Sequence, residues 1–320
     1  MTTREKLNLI RSAAGLTQEN LARELGVSFP TVNSWINGRS APRKKALERI
    51  DRMYLRVTGQ TVIPEKALEA RKLVLRKKCG RRRRVLQRML KHKDIYDQFV
   101  LSLTYHTNRI EGSTLTEPET AAILFEDAAI PDKSIIEHLE VKNHQAAMRF
   151  MCRRVAEGGG IDEPFILRLH AILMNGIRED AGIYRNHNVR IAGAAVPTAN
   201  HMKVPRLMGE LVAEAGRRPG DIIAHVAGIH SRFEQIHPFS DGNGRVGRLL
   251  LNAMLLERDY PPAVIRQEKR RFYILYLGKS QLEEEFSLLE DFICDAVMEG
   301  LKIVDRSDRD PARGDGDAWI

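Results

Sequence analysis

Apolar residues recur at three- and four-residue intervals along most of this chain, a period that predicts helices. Near the start, Leu7, Ile10 and Ala14 share one helical face. Thr17 is placed to cap a segment over 18–25 that ends at Gly26. Ser28 opens a second segment, with Pro30 tolerated in its first turn, running through Val32, Trp35 and Ile36 to Gly38. Two short helices joined by Gly-Val-Ser have the spacing of a helix-turn-helix. Farther on, 137–154, 163–174, 221–236 and 245–257 keep the helical period. One stretch, 189–197, instead alternates and turns at Gly193, which predicts a small β-hairpin. The expected fold class is all-α, with that hairpin as its only strand structure.

Composition adds bounds. A chain of 320 residues has room for two domains. No apolar run approaches the roughly 18 residues that span a bilayer, so no membrane partner is expected. Residues 1–5 carry no signal-peptide core, and Cys79, Cys152 and Cys294 form no CxxC pair, which suggests a reduced, cytoplasmic protein. The net charge of +9 is unevenly spread: residues 1–93 carry +17 and the rest −8. Between Arg71 and Lys93 there are twelve Lys or Arg residues and no Asp or Glu. This run is either a solvated helix face or a set of extra phosphate contacts. The Asp-, Arg- and Gly-rich tail is expected to be disordered.

The stretch from Leu16 to Ser28, followed by Val32-Asn33-Ser34-Trp35-Ile36-Asn37-Gly38 and Ala41-Pro42, resembles the Cro-like phage-repressor family over residues 4 to about 56. The resemblance implies a DNA partner for residues 1–58, with the second helix in the major groove. By it Thr31, Asn33 and Ser34 face base edges, while Gln18, Arg39 and Arg43 contact the backbone. The alternative is a helical bundle that only dimerises or binds a partner.

The candidate chemistry lies at 237–248. Phosphate transfer needs an anion cradle, positive charge, a metal ligand and a base. A helix over 221–236 must stop at His237, because the residue before Pro238 is pushed out of the α region. Gly242-Asn243-Gly244 lets successive backbone N–H groups converge at the start of the next helix. Arg245 and Arg248 share a face of that helix, with Asn252 above Arg248. Asp241 is the sole carboxylate of the loop and so the natural Mg²⁺ ligand.

His237-Pro238-Phe239-Ser240-Asp241-Gly242-Asn243-Gly244-Arg245, with Arg248, fits HxFx[D/E]GN[G/K]RxxR and resembles the Fic family of nucleotidyl transferases. Leu169-His170, Gly182-Ile183-Tyr184-Arg185, the hairpin, 224–233 and Tyr260-Pro261-Pro262 fall in the family's order, over roughly 94–297. The resemblance implies a Fic-type helical bundle with a hairpin flap. It also implies transfer of AMP from ATP to a Ser, Thr or Tyr hydroxyl of a target protein, or of the chain itself, with Mg²⁺. His237 is then the general base and Phe239 the buried anchor of the loop. Asp241 holds Mg²⁺, the Gly242–Gly244 backbone binds phosphate oxygens, and Arg245 and Arg248 take the β- and γ-phosphates. Asn252 and Tyr273 line the nucleoside pocket. Gly193, Ala194, Ala195 and Val196 are counted with the nucleotide site and resemble the flap that aligns the target chain by strand addition. The family pattern is poorly kept around Gly278-Lys279-Ser280-Gln281.

Upstream, residues 107–112, Thr-Asn-Arg-Ile-Glu-Gly, fit the family's inhibitory motif [S/T]xxxE[G/N]. The resemblance implies that Glu111 pairs with Arg248 and takes the space of the γ-phosphate. Relief through a change in homo-oligomer packing is one expectation. The domain reading is therefore a helix-turn-helix domain at 1–58, a basic linker or helix at 59–93, a Fic domain at 94–300 with an inhibitory helix near 107–112, and a disordered tail at 301–320. Two alternatives stand beside the enzyme: a transcriptional regulator with the Fic core as ATP sensor, and an enzyme that also removes AMP.

Overall fold

In a computed structural model, residues 2–58, 63, 65–81, 84–191 and 196–306 are described. The chain divides into two compact units, Met1–Leu68 and Glu69–Ile320, a division later than the boundary read at 58.

The first unit holds α1 (Thr3–Ala14), α2 (Gln18–Leu25), α3 (Phe29–Ile36) and α4 (Lys44–Thr58). Their apolar faces meet in a core of Leu7, Ile10, Leu21, Leu25, Val32, Trp35, Ile50 and Tyr54. The Thr17 hydroxyl accepts the Asn20 N–H at 3.1 Å and Gly26 closes α2 in the left-handed region. Ser28 behaves differently from a conventional cap. Its hydroxyl pairs with the Thr31 hydroxyl at 2.8 Å and makes no cap bond to backbone N–H. Across the unit, Lys6 Nζ donates to Asp51 at 2.6 Å and ties α1 to α4.

The second unit holds α5 from Glu69 on (Glu65–Gly80 in full), α6 (Val85–Lys91), α7 (Lys93–Glu111), α8 (Glu117–Glu126), α9 (Ile135–Ala156) and α10 (Glu163–Leu173). It continues through α11 (Val204–Ala215), α12 (Ile222–Ile236), α13 (Asn243–Glu257), α14 (Arg270–Leu282) and α15 (Ser287–Arg306). Helix α13 is buried nearly all round, with Val246, Leu249, Leu250, Leu251, Ala253, Met254 and Leu255 each almost inaccessible. A helix buried on every face belongs at the centre of a bundle. There it packs against α7, α9, α10 and α12. The residues that begin α13 are thereby held by four neighbours.

Three expectations need adjusting. No strand occurs among the described residues, and the hairpin's turn at 192–195 lies outside them. Its flanks are irregular, joined by the Thr198 hydroxyl donating to the Val189 carbonyl at 2.6 Å. The tail cannot begin at 301: α15 runs to Arg306 and buries Leu301, Ile303 and Val304, while 307–320 lie outside the described residues. The basic run is spent partly inside its own unit. Arg71 pairs with Asp291 and Asp295, Lys72 with Asp221 and Glu290, and Arg76 donates to the Gly220 carbonyl at 2.9 Å. Arg71 and Lys72 are thus engaged by carboxylates of their own unit. Arg82 and Arg83 lie outside the described residues.

Candidate active site

The site forms where α12 ends and α13 begins. Asp221 caps α12 by accepting the Ile223 and Ala224 N–H groups at 3.0 and 3.1 Å. At the other end His237 terminates the helix with φ of 52°, a left-handed setting uncommon for a residue with a side chain. Its Nδ1 lies 3.1 Å from the Glu234 carbonyl, an acceptor only. Nδ1 therefore carries the proton and Nε2 is left as the basic nitrogen. Burial lowers the His237 pKa, the Glu234 carbonyl opposes that, and the Arg185 charge adds to the lowering. The lowered pKa favours the neutral imidazole.

The loop is stapled to itself. Asn243 Oδ1 accepts the Phe239 N–H at 2.9 Å and Asn243 Nδ2 donates to the Phe239 carbonyl at 2.8 Å. Phe239 is fully buried and stacks on His170, with ring centroids 3.7 Å apart and planes 6° from parallel. Gly182 N–H donates to His170 Nδ1 at 2.8 Å, so the proton sits on Nε2, which donates to the Asp241 carbonyl at 3.1 Å. Burial pushes the His170 pKa down to about 4, which keeps that tautomer neutral. Gly242 caps α13 at φ of 77°, and a Cβ there would stand 2.8 Å from Met174 Sδ. The turn has room for glycine only.

The two arginines diverge. Arg245, almost fully buried, donates to Glu140 of α9 at 2.6 Å and lies 3.7 Å from Asp241. Arg248 donates to Glu111 Oε1 at 2.5 Å, and to the hydroxyl and carbonyl of Thr107. Burial disfavours the Glu111 carboxylate, but the Arg248 charge and hydrogen bond outweigh it, leaving the pKa below the ordinary value. Gly244 is what admits this pair, since a Cβ there would fall 2.3 Å from Glu111 Oε1. The Asp241 side chain is 55% exposed, with one oxygen accepting the Gly242 N–H at 2.6 Å. A solvent-facing single carboxylate at the lip of a backbone cradle fits Mg²⁺, which takes few protein ligands and completes its shell with phosphates and waters.

Asn252 and Tyr273 are both buried and hydrogen-bonded within the second unit. Asn252 Oδ1 accepts the Ala263 N–H at 2.8 Å and the side chain is buried. Tyr273 OH meets His230 Nε2 at 2.7 Å, and its ring lies beside Arg248, 6.0 Å from centroid to guanidinium. Near 278–281, Ser280 and Gln281 bond to Ser231, at 2.7 Å to its hydroxyl and 3.0 Å to its carbonyl. Val196 is buried, while Gly193, Ala194 and Ala195 lie outside the described residues. Sequence reasoning missed Glu140, His144, His230, Glu234 and the role of Arg185. Glu140, His144, His230 and Arg185 bond to partners distant in the chain, and of the five only His230 and Arg185 sat in stretches already singled out by the resemblance.

In the first unit, Thr31, Asn33 and Ser34 are half-buried on or beside the exposed side of α3, and each is engaged locally. Asn33 Oδ1 accepts Asn37 Nδ2 at 2.6 Å, and the Ser34 and Ser40 hydroxyls meet at 2.7 Å. Gln18 is half-buried at the start of α2, and Arg39 and Arg43 are exposed in the turn before α4.

Residues 160–255 match the Fic/DOC family model and residues 7–54 a helix-turn-helix model. The chain thus carries a Fic/DOC domain preceded by a helix-turn-helix domain. A Nematostella vectensis protein adenylyltransferase Fic is 33% identical over 193 residues, covering 59% of this chain and 44% of the relative. The Caenorhabditis briggsae protein adenylyltransferase fic-1 is 36% identical over 183 residues, 56% of this chain and 36% of the relative. The chain therefore spans less than half the length of these curated relatives. Among solved structures, a Fic domain containing signaling protein from Bacteroides thetaiotaomicron has a TM-score of 0.65 at 23% identity, covering 76% of this chain and all of the other. Fic-1 from C. elegans has a TM-score of 0.66 at 23% identity, over 91% and 86%. These two likenesses establish the fold.

Proposed function

We propose that the second unit is a Mg²⁺-dependent protein adenylyltransferase, held back by Glu111. One observation carries this reading: a histidine whose Nε2 has no partner among the described residues sits beside a backbone anion cradle whose far arginine is claimed by a carboxylate of the same chain. His237 Nε2 takes the proton of the attacking hydroxyl. The hydroxyl oxygen bonds to the α-phosphorus, the bond to the β-phosphate oxygen breaks, and pyrophosphate leaves. The N–H groups at the start of α13, with the helix dipole, bind the phosphate oxygens. Mg²⁺, held by Asp241, would neutralise charge on the polyphosphate. Arg245 and Arg248 bind the β- and γ-phosphates, Arg248 only once it exchanges Glu111 for ATP.

Incubating the Glu111→Gly chain with ATP labelled at either the α- or the γ-phosphate tests the reaction. Label should enter protein from the α position alone. Entry from the γ position would mean phosphoryl transfer, and entry from neither would remove the proposal. An ATP sensor without catalysis needs the cradle but no oriented base, so the fixed His237 tautomer favours the enzyme. Removal of AMP is a second activity that an exposed Glu111 could support by orienting water, and release of AMP from a modified target tests it.

For the first unit we infer DNA binding through α3, flanked by Arg39 and Arg43 on phosphates. The exposed arginines and the match to a helix-turn-helix model support it.

A further inference from the structure

Arg185 is 4% exposed, and every partner it has among the described residues is a carbonyl. A buried arginine usually faces a carboxylate. Here Nε donates to the His237 carbonyl at 2.7 Å, Nη2 to the Ile236 carbonyl at 3.2 Å and to the Ala199 carbonyl, and Nη1 to the His187 carbonyl at 2.6 Å. Its own N–H donates to the Pro238 carbonyl at 3.0 Å.

The last carbonyls of a helix have no partner within it, and a cation is favoured there by the dipole. Arg185 supplies both at the end of α12, where the chain must also adopt the left-handed setting of His237. A non-glycine residue in that region costs about 1 kcal/mol and persists only where its surroundings hold it. The remaining donors reach His187 and Ala199, which bracket the segment resembling the target-aligning flap. Ala199 N–H returns a bond to the Gln235 carbonyl at 3.3 Å. One planar fork therefore touches the helix end, the backbone of the base and both ends of the segment between.

We propose that Arg185 is a positioning residue: it fixes the backbone of His237 so that Nε2 is aimed, bracing it against the carbonyls of His187 and Ala199. The inference rests on the adenylyltransferase reading, and it goes beyond it by assigning the orientation of the base to one side chain outside the motif. Asp241 and the cradle at 242–244 are not among the groups it touches, so ATP binding should be largely independent of it.

The test uses the full chain in the Glu111→Gly background with Arg185→Lys, which keeps the charge but loses the fork, and Arg185→Met. Each is measured for thermal unfolding, for affinity toward a non-hydrolysable ATP analogue, and for the rate of AMP incorporation. Arg185→Lys should bind the analogue within about threefold of the parent while its rate falls roughly 10²-fold, the scale of a misplaced reacting group. Adding His237→Ala to both the parent and the Arg185→Lys chain should erase most of the difference between them, because the effect runs through the base. Nitrogen-15 spectra of the His237 ring give an activity-free reading: one fixed Nδ1–H tautomer in the parent, averaging in Arg185→Lys. Unchanged rate and unchanged ring spectrum in Arg185→Lys would overturn the proposal, as would a rate that falls only in step with ATP affinity. A parent that transfers no AMP would defeat the adenylyltransferase reading, while the ring spectrum still decides the role of Arg185.

Discussion

Arg248 Nη2 lies 2.5 Å from Glu111 Oε1, and the approach exists because position 244 has no side chain to block it. The Arg248 side chain is 7% exposed and that of Glu111 37%, so the pair joins a buried cation to a partly exposed acid. Thr107, one turn before Glu111, holds the same guanidinium through its hydroxyl and carbonyl. The end of α7 and the face of α13 are therefore joined at the point where an anionic ligand would be read.

Glu111→Gly should raise AMP transfer to the chain itself by at least about tenfold, since an Arg–carboxylate hydrogen bond that must be exchanged for ATP no longer competes. Because Arg248 is buried and loses its carboxylate partner while keeping its bonds to Thr107, the loss of Glu111 should cost roughly 1–3 kcal/mol of stability. Labelled-ATP incorporation and thermal melts check the two parts separately. Equal labelling of both chains would remove the brake from the account.

His237→Ala in that background should lower the rate by about 10²–10⁴, the usual contribution of a positioned base. ATP affinity should persist, because the cradle is built from the backbone at 242–244. An undiminished rate would reassign the base.

Asn243→Ala should destabilise the second unit by roughly 1–3 kcal/mol, because it strands the buried N–H and carbonyl of Phe239. Activity should fall with it, since Phe239 and its His170 stack fix the loop. A melt within error of the parent would mean that water replaces both bonds.

The motif at 237–248 was legible in the sequence because its parts are contiguous, and one chain reversal brings His237, the Gly242–Gly244 turn and the two arginines together. What lay hidden is what crosses the bundle. Nothing local distinguishes Glu140 from other surface acids, yet it meets Arg245 at a separation of 105 residues. Arg185 offered a motif position but no hint that its donors end on four carbonyls. Asn252 and Tyr273, read by resemblance as nucleoside contacts, hydrogen-bond to Ala263 and His230, partners that no local pattern foretells. The basic run misled for a related reason: charge counted along the chain ignores the acids of α15 that fold back on it.

Acidification should weaken the second unit. Burial, with the Arg248 charge, pushes His144 and His230 down to about 3 from an ordinary 6.5. Between those values the unfolded chain binds more protons, so this contribution to stability is lost as pH falls below 6.5, on the order of 2 kcal/mol per histidine by pH 5. Glu234 runs the other way: burial raises it to about 7 from 4.5, so its contribution is full below 4.5 and is lost as pH rises through 7. Glu234→Gln should therefore steepen the acid loss between pH 7 and 5 by roughly 2 kcal/mol. Chemical denaturation at several pH values checks it, and parallel profiles for the two chains would show that Glu234 is not protonated in the folded state.

The first unit should bind duplex DNA with strong salt dependence, because its exposed cations meet phosphates. Arg43→Ala should weaken binding to all sequences alike and reduce the slope of log affinity against log salt by about one. Asn33→Ala should instead alter sequence preference at about 1–3 kcal/mol per base pair lost, with the slope nearly unchanged. Thr31 and Ser34 are tied to Ser28 and Ser40 by hydroxyl pairs, so base contact through them requires exchange of those bonds. Gel shifts on the chain's own promoter at two salt concentrations separate the effects. Absence of binding to any duplex at low salt would leave the first unit as a dimerisation or partner-binding bundle.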